Sequence, residues 1–534
     1  MLSIKKPPNQ RKIINFISFI FYFFSLSMII MALTRYYSLS TNIADLGFFS
    51  SDIFNINKNW QISFSGHFHP IALILSNLYI KLPLNYSPLF LIFIQAISIC
   101  SCIFIVKKYY GVTVGLFFLF YYPLWVNLLF DFHFDFLVIP ILLCFYICCD
   151  RKKFMSASIY AALLVFVKEP FCLQVITCGF YIFWLAFKNN QNNQNNQNYL
   201  MYCCGFFLVL WGFSWFYITT QLILPYFENT SGGSINSSAF SWMGINIFDK
   251  LLFLFTNPVE IFSQIIETPK KFLFLIVVFG LLGFIPLIRP AALIVSLPIL
   301  MIAMLSNLEN YYGYANHYTA GLIVPFIVAF RDGLPLFKSW LSRWINDSFL
   351  FYGFLFSFML LGHWAFASSP ISRLFWSDKV WSYSWHAYLP NERDSMLKEA
   401  MLLYIPTDIN ISVTSQNSVN WGHLAHRNVF LIFPFGVDNA HQVMDWSNRD
   451  IPGFWQFILT GYKPPILTHS VFSDYVVLDL KRPWFVIDKG CDWIYGSCRN
   501  AVVSEQFLNY ISKTRQHYEL IFEQDGFMIF HRKL

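Results

Sequence analysis

Charge is what this 534-residue chain has little of: only 12% of its residues are Asp, Glu, Lys or Arg. Soluble domains carry roughly twice that fraction, so a cytosolic enzyme, a disordered protein and an ordinary nucleic-acid binder are excluded. Cysteine outside apolar runs is equally scarce. Nine of the eleven (Cys100, Cys102, Cys144, Cys148, Cys149, Cys172, Cys178, Cys203 and Cys204) lie inside apolar runs, where they behave as small hydrophobes. Only Cys491 and Cys498 occupy a polar stretch, where they could pair in an oxidising compartment. No repeat relates the two halves, and no small-residue cleavage site follows the first apolar run, which therefore reads as an anchor rather than a signal peptide.

What the chain has is apolar bulk. It is 56% hydrophobic and 20% aromatic, with 62 Phe. A single water-solvated fold could not bury that much apolar surface, so the sequence reads as a multi-span membrane protein. The net charge of +7 then matters through where the basic residues fall relative to the spans.

Apolar runs predict eleven crossings, near 13–33, 87–106, 112–130, 135–149, 154–168, 171–187, 199–221, 271–289, 291–306, 318–330 and 348–367. Lys107 and Lys108, Arg151 to Lys153, Lys188, Arg289, and Arg331 with Lys338 and Arg343 all fall in alternate connections. Those connections share the cytoplasmic side with the basic N-terminus. The outer connections are then 34–86, 131–135, 168–170, 222–270, 307–317 and everything beyond about 368. Residues 1–368 form a transmembrane domain, with 34–86 and 222–270 as its large outer loops. Residues 70–82 read as an interfacial helix, and the Asn/Gln tract 189–198 as a solvated linker. Beyond residue 369 the composition turns ordinary. DSMLKEAMLLY predicts a helix, while NISVTSQN, NVFLIFP, DYVVLDL and YELIFEQDGFMIFHR predict strands. The expected fold is thus an all-α polytopic bundle with a small extracytoplasmic α/β domain over 369–534.

Ionisable residues cost about 2.5–3.5 kcal/mol each near the bilayer centre, so their clustering carries information. Nearly all fall on the predicted outer side. Asp45 and Asp52 follow the first span, then His67 and His69 in GHFHP. DFHFD places Asp131, His133 and Asp135 at alternate positions; if extended, these share one face and Phe132 with Phe134 the other. Two carboxylates and an imidazole on one face are competent metal ligands, whereas capping a helix needs one Asp. Lys168 and Glu169 are the only charges in the 34-residue run 154–187, so they mark a turn at the interface. Glu169 could pair locally with Lys168, or Lys168 could face a lipid phosphate. Asp45 taken alone is compatible with a loop or capping carboxylate, and His67 with His69 with a metal pair or with interfacial polar groups. Glu309, Tyr311, Tyr312 and His317 form a fourth group, which could also be an aromatic belt.

The ordered motifs DLGFF (45–49), GHFHPI (66–71), DFHFD (131–135) and KEP (168–170) carry a family resemblance. With ANHYTAGLIVPF (315–326), SVTSQNSVNWGHLAHR (412–427) and DYVVLDL (474–480), the chain resembles the domain-of-unknown-function 2079 family of bacterial and archaeal predicted membrane proteins. That family is grouped with the GT-C superfamily of integral-membrane glycosyltransferases, which take sugars from polyprenyl-phosphate carriers. The resemblance implies Asp45 as catalytic base, and Asp131 and Asp135 as holders of a divalent cation, Mg or Mn. It further implies Lys168, His133 and His317 at the donor phosphate, with Asp52, His67, His69 and Glu169 as secondary candidates. The chain departs from the family at Ser50, at Pro170 and at Asp135, where relatives carry an acid, an acid and Glu respectively. The implied activity is inverting sugar transfer at the outer face of a bacterial cytoplasmic membrane, from a lipid-linked donor to an envelope glycan, lipid or protein. The outer domain would close over the site or recognise the acceptor. The rival readings are a transporter or lipid-carrier flippase, a noncatalytic envelope assembly protein, and a polymerase or ligase of surface polysaccharide.

Overall fold

The computed structural model describes residues 8–50, 53–54, 67–83, 86–191, 198–224, 239–244, 247–266, 268–314, 316–344, 347–376, 384–406 and 411–415. It also describes 429–433, 437, 439–444, 466–481, 491–492, 497–498 and 505–533. Six described helices are long and apolar enough to cross a bilayer: Asn15–Tyr37, Ser87–Phe120, Pro170–Gln191, Asn198–Ile223, His317–Leu341 and Ser348–Phe366. Shorter apolar helices, Phe154–Phe166 and Pro290–Leu305 among them, pack between these.

Helix Ser87–Phe120 is two antiparallel pieces. A straight 34-residue helix would measure about 51 Å, yet Gln95 donates a hydrogen bond to the carbonyl of Asp131 at 2.8 Å. The chain turns back at Gly111, whose φ of +91° costs a glycine little. A Cβ at Gly115 would stand 3.1 Å from the Cα of Lys107, so the two arms meet closely beside the turn. The turn falls between the apolar runs 87–106 and 112–130, but the second arm ends at Phe120, and a separate helix, Tyr122–Leu129, follows an extended Tyr121. Small residues act similarly between Pro170–Gln191 and Asn198–Tyr217, where a Cβ at Gly179 would lie 2.6 Å from the carbonyl oxygen of Gly205.

The predicted cytoplasmic charges converge at one end of this bundle. Arg331 forms an ion pair with Asp150 and another, at 2.8 Å, with Asp332. Its guanidinium covers Tyr110, as that of Arg151 covers Tyr109, at 4.4 and 4.5 Å from the ring centroids. Helix Val138–Asp150 separates Asp150 from DFHFD by about 20 Å. The basic end and the acid-rich motifs therefore sit at opposite ends of the same helices.

The short helix Ile71–Tyr79 buries Ala72, Ser76 and Tyr79 and leaves Ile74 and Leu78 exposed, the one-sided pattern expected of an interfacial helix. His363, at the end of the last apolar helix, ties that end to the bundle. Its Nδ1 lies 2.8 Å from the carbonyl of Phe120, and its Nε2 lies 2.6 Å from the Ser369 hydroxyl.

The C-terminal part carries a five-stranded mixed sheet. Strand Ser412–Ser415 pairs in parallel with Val429–Ile432 on one side and Tyr475–Asp479 on the other. Antiparallel pairing then adds Phe527–Arg532 and Tyr518–Gln524. Asp525-Gly526, both at positive φ, close the last hairpin. Helix Glu392–Tyr404 begins with a reciprocal capping box between Asn391 and Asp394. The predicted helix and strands coincide with these elements. Helix Glu505–His517 and the hairpin of Asn439–Met444 with Ile466–Val471 are further elements. Cys491 stands opposite Cys498 in a two-residue antiparallel pair.

Candidate functional site

Asp45 lies in a π-helical turn, Ile43–Gly47, directly after the first long helix. Gly47 closes the turn by donating its N–H to the carbonyl of Asn42 at 3.1 Å. Asp45 Oδ2 accepts from the Asn42 side chain at 3.2 Å, and its Oδ1 stands 3.0 Å from His133 Nε2. Asn42 serves both acids, because its backbone N–H donates to Asp131 Oδ2 at 2.6 Å. Asp131 Oδ1 accepts from the N–H of Phe132 at 2.8 Å. Burial and the Asp45 carboxylate push Asp131 above the ordinary carboxylate range, against Arg35 and the two amides, which pull it down.

DFHFD is only partly extended. His133 has φ −145° and ψ 137°, but Phe134–Leu137 wind into a 3-10 turn that leads into helix Val138–Asp150. Asp135 therefore does not share a strand face with Asp131. It turns instead toward Lys168 Nζ and His317 Nε2, at 3.8 and 3.9 Å, distances too long for hydrogen bonds. Phe132 and Phe134 pack inward against Phe49, with ring centroids 5.8 and 5.2 Å away. The two halves of the cluster join where the His133 ring stacks on His317, centroids 3.4 Å apart. Four segments distant in sequence thus converge: Asp45, Asp131 to Asp135, Lys168 and His317.

A second, adjoining group holds the turn at 167–169. Glu169 pairs with His67 Nδ1 and accepts the Phe68 N–H at 3.3 Å. Burial alone would raise the Glu169 carboxyl, but His67, Lys168 and His69 together hold it down to about 2. His69 Nδ1 donates to the carbonyl of Val167 at 2.8 Å, and burial, with the nearby Lys168 and His67, lowers its pKa to about 3. The ion-pair partner of Lys168 is Asp135, while Glu169 is committed to His67. Pro170 opens helix Pro170–Gln191, the helical position where its missing N–H costs least. Ser50 is buried, and Asp52 lies outside the described residues.

Three residues that sequence reasoning passed over hold this site together. Gln95, mid-helix, donates to the carbonyls of Leu128 and Asp131 and accepts the His133 N–H at 3.1 Å. Its signal was available: a neutral polar side chain inside an apolar run must find partners. Asn42 bridges the two acids, as described. Phe49 packs against His69 and His133. The chain around Asp45 is also gripped from the other side, where Leu39 and Phe48 join the apolar core of Leu397, Met401, Val413 and Ile529.

Among the described residues no three His, Cys, Asp or Glu side chains form a set that could hold a metal ion. Both oxygens of Asp131 are taken up by backbone amides, and Asp135 faces a lysine. His67 and His69 turn to Glu169 and Val167 rather than to a common point. These residues do not fit a Mg or Mn centre as they stand.

No curated protein matches the chain. Among solved structures it is similar to the crystal structure of ArnT from Cupriavidus metallidurans bound to undecaprenyl phosphate, at 10% identity and a TM-score of 0.43, over 96% of this chain and 97% of that one. Residues 35–451, most of the chain, match the family model described as predicted membrane protein DUF2079. The protein is a member of the DUF2079 family of predicted membrane proteins.

Proposed function

We propose that the protein is an integral-membrane glycosyltransferase that moves a sugar from a polyprenyl-phosphate donor to an envelope acceptor, with inversion, at the outer face of the membrane. One observation carries the reading: a carboxylate with unsaturated lone pairs and a buried ammonium are held in one cluster by segments far apart in sequence. Asp45 is the base. It takes the proton of the acceptor hydroxyl as that oxygen attacks the anomeric carbon. The bond from that carbon to the carrier phosphate breaks, and its electron pair stays on the phosphate oxygen. Lys168, held near Asp135 without a hydrogen bond to it, meets the growing negative charge, with His133 and His317 stacked beside it. No step is routed through a metal.

The placement follows from the donor. Its isoprenoid tail stays in the bilayer while its phosphate needs a cation at the boundary. With the eleven crossings and the cytoplasmic N-terminus expected from the sequence, the cluster and residues 369–534, as an outer domain, lie on the extracytoplasmic side. The test is transfer from a radiolabelled polyprenyl-phosphate sugar by the purified full-length protein. Turnover that collapses in Asp45→Asn supports the reading. Equal turnover in both proteins removes Asp45 from the chemistry. Donor translocation across vesicles without transfer replaces the reading with a flippase.

A further inference from the structure

Three lysines approach the Tyr-rich segment 309–319, and among the described residues only two of them meet a carboxylate. Lys168 lies 5.7 Å from the ring centre of Tyr318 and 3.8 Å from Asp135. Lys270 is 40% exposed at its side chain and binds both oxygens of Glu309 at 2.8 and 2.9 Å. Lys271, the very next residue, is 1% exposed. Its ammonium has no hydrogen-bond partner among the described residues, and it lies over the ring of Tyr312, 5.4 Å from the centroid. Glu309 is one residue position away in the pairing and is spent on the exposed neighbour.

An unpaired buried ammonium is costly, and a ring face offsets only part of that cost. Lysines placed this way at membrane boundaries mark sites for a ligand. Lys271 stands at the beginning of the apolar helix Pro269–Gly280, which the sequence reading sets at the edge of a span, where phosphate groups are the abundant anions. A compact ammonium suits a phosphate oxygen as a point charge, without the planar match a carboxylate asks of arginine.

We propose that Lys271, with Tyr312 beneath it, is a second anion-binding subsite that takes a phosphate group, either from a lipid headgroup or from a soluble phosphate. It does not depend on the transfer reaction, because the charge count at 309–319 stands whatever chemistry occurs at Asp45.

The test compares wild type, Lys271→Met, Lys271→Arg and Lys168→Met as full-length proteins in neutral detergent. Each is titrated with inorganic phosphate and, separately, with short-chain phosphatidylglycerol, and thermal unfolding is followed by tryptophan fluorescence. Wild type and Lys271→Arg are stabilised saturably by at least one probe, and Lys271→Met weakens that binding by about tenfold or more. Stabilisation by inorganic phosphate assigns a soluble source, and stabilisation by the phospholipid alone assigns a headgroup. Without probe, Lys271→Met unfolds at a higher temperature than wild type, since it removes an unpaired buried charge. If Lys271→Met does not fold, protection of Lys271 from an amine-acetylating reagent by the same probes, read by mass spectrometry of wild type, takes its place. Equal affinity in wild type and Lys271→Met, or no protection, overturns the proposal. So does binding lost in Lys168→Met and kept in Lys271→Met.

Discussion

The two ends of the bundle treat charge in opposite ways. At the basic end Arg331 is shared between Asp150 and Asp332, and its face is covered by Tyr110. At the other end the groups are more deeply buried and less well satisfied. His317 Nδ1 and Lys271 Nζ have no hydrogen-bond partner among the described residues, His133 Nε2 stands 3.0 Å from Asp45 Oδ1 without hydrogen-bond geometry, and Lys168 stands 3.8 Å from its carboxylate. Buried polar atoms are nearly always paired; other unpartnered ones occur through the described residues, Tyr110 Oη at the basic end and Ser158 Oγ among them, but at the acid end they include ionisable side chains. The basic end is built for stability. The acid end keeps bonding capacity in reserve, as a site for a polar ligand does.

The comparison breaks most sharply if a carboxylate from each end is neutralised. Asp45→Asn lowers transfer by about 10³-fold, within the usual range for a general base, whereas Asp150→Asn at the basic end leaves the rate within about twofold and costs about 1 kcal/mol of stability. Both are read from initial rates with a lipid-phosphate sugar and from thermal unfolding. Lys168→Met comes next, with a loss of about 10²-fold that falls mainly on kcat, because the charge it answers develops in the transition state.

Gln95→Leu sharpens the comparison from the structural side. It leaves the Asp131 to His133 loop without its tether and costs about 1–3 kcal/mol, measured as a lower unfolding temperature accompanied by reduced transfer. The smallest effect concerns acid. Glu169 has a folded pKa of about 2 against an ordinary 4.5. Its contribution is therefore complete above pH about 4.5 and is lost as the pH falls toward about 2. Glu169→Gln flattens that acid limb of the stability profile and leaves the neutral range displaced downward but parallel.

Much of this was legible in the sequence, for particular reasons. Apolar runs and alternating basic residues mark spans because the bilayer forbids unpaired charge at depth, and Lys107, Arg151 and Arg331 obey that rule. The strands around 412–415, 475–479 and 518–532 follow from alternation and from the Asp525-Gly526 turn. Asp45, Asp131, His133, Asp135, Lys168 and His317 stood out because each is costly beside apolar neighbours, and they do meet. The one-face reading of DFHFD went wrong at Phe134, where the following helix captures the segment into a 3-10 turn and sends Asp135 to a different partner. Asn42 was missed because a neutral amide in a polar loop carries no charge signal, and only its tertiary partner reveals it; Gln95 was passed over although its place inside an apolar run was itself a signal. Lys271 was read as the edge of a span, and its lack of a counter-ion among the described residues is visible only once Glu309 is seen on Lys270.

The central claim is that Asp45 and Lys168 face one phosphate-bearing ligand. A cryo-electron microscopy map of the full-length protein with a polyprenyl monophosphate tests it directly. The account predicts phosphate density within hydrogen-bonding reach of Lys168 Nζ, with the Asp45 carboxylate and the His133 ring bordering the same space. Density seated instead among Arg151 and Arg331, or Asp45 separated from Lys168 by intervening helices, would contradict it.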